Sequence, residues 1–323
     1  MCLCRRLSEA YIAVAISAAL LAAKPGCLFS RAFCPDPLAL AVALALEALD
    51  RPRRWRGHLV TNLIPPQIHP VSLIFKTGAR LIGRGGLLRG VLVLITTSLP
   101  LTAAAVLYGL ARGDGILWSV LEGYLLKLSF SITHITYGCL MGYDSGMACA
   151  VVKEFVRRDL SECEKGLVNS ACIETAAESL VDSFASTLFW YGLLGLPGAW
   201  LQRSVNTADG LVGFRQYGPL GLPSALADTL MNFLPARLTS FFLLGVGGLR
   251  APHALCHMER VESINARWPL ASIAVALAVK LEKAGYYSIE GGGYPQDIDV
   301  YNALRLVNNT ALAIATFTIL AVL

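Results

Sequence analysis

Long apolar runs alternate along the chain with polar intervals that hold most of the charged residues. A helix needs roughly 20 apolar residues to cross a hydrocarbon core. Four runs approach that length and are the strongest predicted membrane-embedded helices: residues 88–111, 183–201, 233–249 and 306–323. Two runs near the start, residues 11–23 and 38–49, are too short to span alone, so they predict a helical hairpin or helices lengthened by their flanks.

The remaining pattern predicts a single helical membrane domain over residues 1–323. No segment shows the two-residue alternation of a strand or a membrane barrel, and no internal repeat or low-complexity linker divides the chain. Residues 160–185 predict a further helix, with Ser161 as N-cap and Glu164 at the capping-box spacing. We therefore predict an all-α, polytopic helical membrane protein with five or more membrane-embedded helices and polar functional loops.

Composition and charge support a location in the cell membrane. Apolar residues make up 55% of the chain and charged residues 15%, whereas a soluble domain carries roughly 25% charged residues. Basic residues cluster before the run at 88–111: Arg51, Arg53, Arg54, Arg56, Lys76, Arg80, Arg84 and Arg89. Such clusters favour the cytoplasmic face and anionic lipid. Because this cluster lacks interleaved aromatics and a known binding module, nucleic acid is not expected as a partner.

The nine cysteines do not form a recognisable framework. Their number is odd, and no two CxxC motifs occur at a zinc-binding spacing. We therefore expect reduced thiols, several of them buried as small apolar side chains.

The first candidate site is a row of acidic residues that follows Arg158 and Asp159. Glu174, Glu178 and Asp182 are spaced i, i+4 and i+8, so a helix places their carboxylates along one stripe. Like charges at this spacing repel one another, which calls for a positive partner. Mg²⁺ carried by a nucleotide is one such partner, since it prefers oxygen ligands shared with phosphates. A solvated helix face explains the same spacing.

A second candidate interval combines amides and acids with one arginine. Asn206, Asp209, Asp228 and Asn232 lie before or at the start of an apolar run, and Arg237 lies within that run. Asn and Asp before Gly also form ordinary turns. An arginine can hold a phosphate through two hydrogen bonds, or it can extend to the membrane interface. Both interpretations stay open from the residues alone.

A third candidate interval contains Ser263 and Asn265 before Trp268, then Tyr286-Tyr287, and then Glu290 with a glycine run at residues 291–293. Consecutive glycines permit close approach of the backbone to a ligand, but flexible loops carry them too. The sequence contains no Gly-Lys-Ser/Thr pattern of a P-loop, so that mode of nucleotide binding is excluded.

Taken in order, these motifs resemble the adenosylcobinamide-phosphate synthase family of cobalamin biosynthesis. The resemblance covers most of the chain. Its pieces are Glu47 to Asp50, His69-Pro70-Val71, Lys127, Arg158-Asp159, the Glu174/Glu178/Asp182 pattern, Asn206-Thr207-x-Asp209, Asp228 with Asn232 and Pro235 to Leu238, and Ser263-x-Asn265-Ala266. The chain departs from the family pattern at Ser179, Gly210, Ala227, Ile264, Arg267 and Leu270. These replacements remove several polar groups from the predicted site and leave the predicted fold unchanged.

The resemblance implies an ATP-dependent ligase that forms a C–N bond. It would join aminopropanol, as its phosphate, to a carboxylate of adenosylcobyric acid. The implied roles are Mg²⁺-ATP binding or proton transfer by Glu174, Glu178 and Asp182, phosphate binding by Arg237 and Arg158, and substrate orientation by Asn206, Asp209, Asn232 and Asn265. These side chains are expected around one polar cavity on the cytoplasmic side, where ATP is available, with other membrane enzymes of the pathway as possible partners.

Two other functions stay open at this point. A non-catalytic membrane relative with a sensory or regulatory role would explain the lost motif residues. A transporter would explain ionisable groups inside apolar runs, although the chain lacks the similar halves that transporters often show.

Overall fold

The computed structural model describes residues 2–50, 59–83 and 85–323. The predicted basic cluster is therefore described only at Lys76, Arg80 and Arg89, and its other arginines lie outside the described residues. The α-helices in chain order are α1 (Cys2–Ala23), α2 (Pro25–Phe29), α3 (Pro37–Leu49), α4 (Pro70–Leu81), α5 (Leu87–Ala111), α6 (Ile116–Lys127), α7 (Thr133–Asp144), α8 (Ala148–Phe155), α9 (Lys165–Leu180), α10 (Ser186–Val212), α11 (Leu222–Met231), α12 (Phe233–Gly247), α13 (Arg267–Leu277) and α14 (Asp297–Val322).

Within the described residues, four helical stretches are long and apolar enough to cross a membrane. They are Arg5–Phe29, Arg31–Leu49, Leu87–Ala111 and Asp297–Val322. The two stretches near the start reach this length because the apolar runs recruit their flanks, which was one of the two predicted possibilities. The all-α membrane fold is thereby confirmed.

Helices α11 and α12 meet at a bend of 47° and together also meet the length and hydropathy requirements of a span. The predicted segment 233–249 corresponds to α12, which ends at Gly247. The predicted segment 183–201 is not among the spanning helices of the described chain. Its apolar side chains, such as Leu188 and Tyr191, are buried against other helices of the bundle instead of facing lipid.

Helix α10 is broken in its middle at Leu194 and Gly195. Gly195 has a φ of 59°, a left-handed conformation that favours glycine. A Cβ atom there would also lie 3.1 Å from the backbone of Phe33. The break lets the first half of α10 continue from α9, while the second half carries Arg203 and Asn206 alongside α5 and α11.

Helices α3 and α6 pack against each other and are joined by polar groups at both ends. At one end, Arg112 is ion-paired with Glu122, whose carboxylate also accepts a hydrogen bond of 2.8 Å from Tyr191. Asp36 caps α3 at this end by accepting from the Leu38 and Ala39 backbone N–H groups. Lys127 joins the two helices at the other end, beside the candidate site.

The predicted helix over residues 160–185 is shorter than expected. Asp159 accepts a hydrogen bond of 2.8 Å from the backbone N–H of Ser161, and Cys163 has a φ of 52°. Because residues 159–163 adopt these turn conformations, the helix begins later than predicted. Helix α9 begins at Lys165, and the predicted cap at Ser161 is wrong. After Leu180 the chain widens into a single π-helical turn, Val181–Ala185, which leads into α10. Such turns often occur at functional sites.

A small antiparallel hairpin was not predicted. Its strands, β1 (Leu281–Lys283) and β2 (Tyr287–Ile289), are joined by a turn with Gly285 at a φ of 75°. Three residues per strand are too few to show an alternating pattern in the sequence. The hairpin packs against α9 and thereby reaches the candidate site.

The expectation of reduced thiols is wrong for several cysteines. Disulfides join Cys27 to Cys34 and Cys149 to Cys163, and Cys256 is also disulfide-bonded. Among the described side chains, Cys139 and Cys172 are free and buried. The sequence did not reveal the pairs because loop folding, and not a regular spacing, brings their Cα atoms together.

The Cys149–Cys163 disulfide closes a loop with a sequence separation of 14 residues that contains Arg158. We expect replacement of both cysteines by serine to lower the free energy of unfolding by about 3 kcal/mol, because the unfolded chain regains loop entropy. Thermal unfolding in detergent, paired with non-reducing peptide mapping of the wild type, measures this. A double variant as stable as the oxidised wild type contradicts the prediction.

Candidate functional site

Glu174 is fully engaged by partners from three parts of the chain. It forms an ion pair with Arg158, and it accepts hydrogen bonds from the hydroxyls of Ser170 and Tyr287. Arg158 also donates 3.1 Å to the carbonyl of Glu282 in the hairpin. We call Arg158, Ser170, Glu174 and Tyr287 the hairpin cluster. Its contacts hold both the hairpin and the loop before α9 against α9. Because these contacts occupy the carboxylate oxygens of Glu174, little of that side chain is available to a ligand.

Glu178, one turn further along α9, has a different environment. It is half-buried and forms no hydrogen bond or ion pair with any described residue. Burial, reinforced by the charge of Glu174, raises the pKa of Glu178 to about 7, although Arg158 and Lys283 oppose this. Near neutral pH this carboxyl therefore exists in both protonation states.

Asp182 and Asp209 are also half-buried, and neither carboxylate forms a hydrogen bond or ion pair within the described chain. Asp182 lies in the π-helical turn and interacts electrostatically with Glu178, Asp209 and Asp228. Burial and the charge of Asp228 raise the pKa of Asp209 to about 7. Two carboxyl groups thus lie here without a hydrogen-bond donor from the described residues.

Amide groups surround this concentration of acids. Asp228 accepts hydrogen bonds from Asn206 at 3.2 Å and from Asn232 at 2.9 Å. Buried Gln202 donates to the backbone carbonyl of Asp182 at 3.1 Å. Arg203 donates to Asn206 at 3.1 Å. We call this set the central cluster: Asp182, Gln202, Arg203, Asn206, Asp209, Asp228 and Asn232.

A cavity of about 440 Å³ lies beside the central cluster. Its lining includes Ser179 and Ser183, which directly follow Glu178 and Asp182 in the chain, and Arg203 of the central cluster. The opposite lining comes from the segments before α4 and around residues 127–135. None of the predicted site residues lines this cavity, so Arg203 is the group that connects it with the predicted acids.

A buried lysine forms one wall of the cavity. Lys127 lies 2.9 Å from carboxylate oxygens of both Glu47 and Asp50, and it donates to the Thr61 hydroxyl at 3.3 Å. Burial alone would raise the pKa of Asp50, but Lys127 and the bonds from Thr61 and Val60 outweigh it and lower the pKa to about 2. The charge of Lys127 is therefore already balanced by protein groups.

Arg237, Asn265, Ser263 and Asp159 form no hydrogen bond with a central-cluster side chain, although Asn265 donates to the carbonyl of Thr229, which lies between Asp228 and Asn232 in the chain. Arg237 stacks on the rings of Phe233 and Trp268 and donates to Asn265 at 3.4 Å. Ser263 is exposed and accepts a hydrogen bond from the backbone of Ala266. The exposed side chain of Asp159 shapes the turn at Ser161, as described above.

Within the described residues, the three predicted magnesium ligands, Glu174, Glu178 and Asp182, are not grouped as a preformed metal site. Among the described residues, no group of three or more His, Cys, Asp or Glu side chains is arranged to hold a metal ion. The physical reason is the hairpin cluster, since Arg158 and Tyr287 hold Glu174 away from such a role.

The sequence analysis did not identify Arg203 and Gln202. Arg203 had a usable signal, because it precedes Asn206 by three residues and therefore shares its helix face. Tyr287 belongs to the third candidate interval, but its contact with Glu174 depends on the fold of the hairpin and had no signal in the sequence.

The raised pKa of Glu178 predicts a pH-dependent loss of stability. The folded state holds this proton more tightly than the unfolded state, so stability falls as pH rises from 4.5 towards about 7. The expected loss is at most about 3 kcal/mol. Unfolding measured across this range should show a smaller decrease for Glu178→Gln than for wild type. Parallel profiles would contradict the assignment.

The chain is similar to known proteins over most of its length. The family model described as CobD/Cbib protein matches residues 38–307. A protein of Aeropyrum pernix, named probable cobalamin biosynthesis protein CobD, is 37% identical over 317 residues, which cover 91% of this chain and 96% of that protein.

Two further relatives carry the same name. The Archaeoglobus fulgidus protein is 32% identical and covers 85% of this chain and 88% of its own length. The Thermoplasma volcanium protein is 31% identical, with 74% and 85% covered. No solved structure matches the chain. Since the family model covers most of the sequence, the chain belongs to the CobD/Cbib protein family.

Proposed function

We propose that the chain is a membrane ligase of cobalamin biosynthesis. It would use ATP to join aminopropanol, or its phosphate, to a carboxylate of adenosylcobyric acid. The names of the relatives support the pathway, and the motif resemblance supports the reaction. The geometry adds support through one observation, which is the group of half-buried carboxylates without protein partners at Glu178, Asp182 and Asp209.

These carboxylates suit an amine substrate. An ammonium group offers donors to unpartnered carboxylates, and it must lose one proton before its nitrogen can attack. A carboxyl with a pKa near 7 can accept such a proton at neutral pH. Glu178 and Asp209 both have a pKa of about 7, so we assign them, with Asp182, to ammonium binding and proton acceptance.

The proposed reaction has two steps. A carboxylate oxygen of the corrinoid attacks the γ-phosphorus of ATP, which gives an acyl phosphate and ADP. The amine nitrogen, after giving up one proton to a carboxylate, then attacks the acyl carbon. The C–N bond forms, the C–O bond to phosphate breaks, inorganic phosphate leaves, and the nitrogen loses its second proton. Negative charge grows on oxygen in both steps, and a fixed guanidinium next to the cavity lowers that cost. Arg203 lies in that position.

Magnesium would enter with the nucleotide in this proposal. Mg²⁺ usually keeps several waters and binds through phosphates and one or two carboxylates. The protein lacks a three-carboxylate site in its described part, but Asp182 and Glu178 remain available as oxygen ligands. The ion would neutralise phosphate charge, whereas substrate binding and proton transfer fall to the side chains.

The size of the cavity limits what can enter it. A volume of about 440 Å³ suits a ligand of small-molecule size. A corrin ring with its adenosyl group is much larger. We therefore propose that the ring stays outside and that only one carboxylate arm reaches the cavity, where it meets the amine.

The reacting face is proposed to be cytoplasmic. Leu211 at the end of α10 packs beside Gly78 of α4 and in one apolar cluster with Val93 of α5. The central cluster therefore lies towards the same end of the bundle as Lys76, Arg80 and Arg89. Basic residues favour the cytoplasmic side, and ATP is available there.

The test is an assay in purified membranes with ATP, adenosylcobyric acid and aminopropanol phosphate, and mass spectrometry of the amide product. We expect Glu178→Gln and Asp182→Asn to lower kcat by at least about 100-fold, the range of a lost proton acceptor. Asp159→Asn is the matched control and should keep activity, because that side chain is exposed and its hydrogen bond goes to the backbone of Ser161. Wild-type membranes without ATP-dependent product would refute the proposal, and a fully active Glu178→Gln would refute the role of Glu178.

A further inference from the structure

Arg203 is a buried cation without an ion pair. Its side chain is 9% exposed, and no carboxylate of the described chain lies within ion-pair distance. Its hydrogen bonds go to neutral acceptors, the backbone carbonyl of Ser129 and the side chain of Asn206. A buried charge is costly unless it is paired. Because Arg203 lines the cavity, an anion in the cavity would supply the missing pair.

His69 lines the same cavity and contributes a second donor at its wall. Its Nδ1 accepts a hydrogen bond of 3.3 Å from the backbone N–H of Val71, where His69 caps helix α4. An accepting Nδ1 carries no proton, so the neutral ring must carry its proton on Nε2. The Nε2 atom is buried and has no hydrogen-bond partner among the described residues.

The surroundings keep the ring of His69 in this neutral form. Burial lowers its pKa, and the charges of Lys127 and Arg203 lower it further, against a smaller opposing effect of Asp50. The charge of Lys127 is already balanced by two carboxylates. The Arg203 guanidinium has no ion-pair partner within the described chain, and the Nε2–H group of His69 has no acceptor there.

We propose that His69 and Arg203 form a phosphoryl subsite within the cavity, with Arg203 supplying the charge and His69 a fixed, neutral N–H donor. An arginine matches phosphate oxygens geometrically, and a hydrogen bond to an anion is stronger than one to a neutral group. The phosphoryl group belongs either to the nucleotide or to a phosphorylated amine. The choice between these two sources rests on the proposed ligation. The binding of a phosphoryl group by His69 and Arg203 does not depend on it.

Two substitutions of His69 distinguish the hydrogen bond accepted at Nδ1 from the hydrogen bond that Nε2–H would donate to phosphate. His69→Asn keeps an oxygen that can accept from the Val71 N–H, and asparagine is a favoured N-cap, but it cannot reach the position of Nε2. His69→Gln places an amide N–H near that position and loses the cap. A purely structural role would make Gln the damaging change, whereas the phosphoryl subsite makes Asn the damaging one.

The first measurement needs no enzyme activity. Inorganic phosphate, titrated against the full-length protein in detergent with chloride as the control anion, should raise the unfolding temperature of wild type and His69→Gln. It should have little effect on His69→Asn and Arg203→Gln. Equal stabilisation of wild type and His69→Asn by phosphate would overturn the subsite, and so would the absence of any phosphate effect on wild type.

The second measurement identifies the source of the phosphoryl group. In the ligation assay, His69→Asn should raise KM for one substrate by roughly ten- to 100-fold, as expected for a lost bond to a charged group. A rise for ATP assigns the nucleotide, and a rise for aminopropanol phosphate but not for aminopropanol assigns the amine. His69→Gln should restore wild-type KM. Phosphate stabilisation without ligase activity would leave the subsite standing and would refute the proposed function alone.

Discussion

The fold depends on how an apolar bundle accommodates buried charge. Most buried ions are matched within the protein: Lys127 with Glu47 and Asp50, and Arg158 with Glu174. These pairs stabilise the contacts between α3 and α6 and between α9 and the hairpin. Removing one partner of such a pair commonly costs about 3–5 kcal/mol. These ion pairs therefore hold the packed helices in place. The buried charges without an ion-pair partner are the exceptions.

The unmatched charges have opposite signs and lie close together because α10 is broken. The π-helical turn after α9 holds Asp182, and the break at Gly195 lets the second half of α10 bring Arg203 and Asp209 back towards it. Arg203 does not pair with these acids, since amides and a backbone carbonyl take its hydrogen bonds. The charge of Arg203 therefore interacts with Asp182 and Asp228 without forming a direct ion pair, an arrangement that favours a ligand with both a basic nitrogen and acidic oxygens.

The sequence predicted the parts of this structure that follow from local periodicity. Apolar length indicated the helices that contain residues 88–111 and 306–323, and the four-residue spacing placed Glu174 and Glu178 on one helix. Periodicity could not tell that Tyr287 and Arg158 occupy Glu174 while Glu178 stays unpaired, because those partners come from distant segments. The same limit explains the missed disulfides and the burial of residues 183–201, whose apolar side chains indicate burial equally in lipid or in protein.

The departures from the family pattern fall mostly outside the central cluster. Leu270 is buried among apolar residues, Ile264 is exposed, and Gly210 contributes a backbone carbonyl that accepts from Arg157. Ser179 is different, because it lines the cavity where the family has the larger asparagine. A serine side chain is smaller than asparagine and therefore occupies less of the cavity wall. Unpartnered buried acids cost stability as pH rises, and a non-catalytic protein would gain nothing from them, so their presence favours an active ligase.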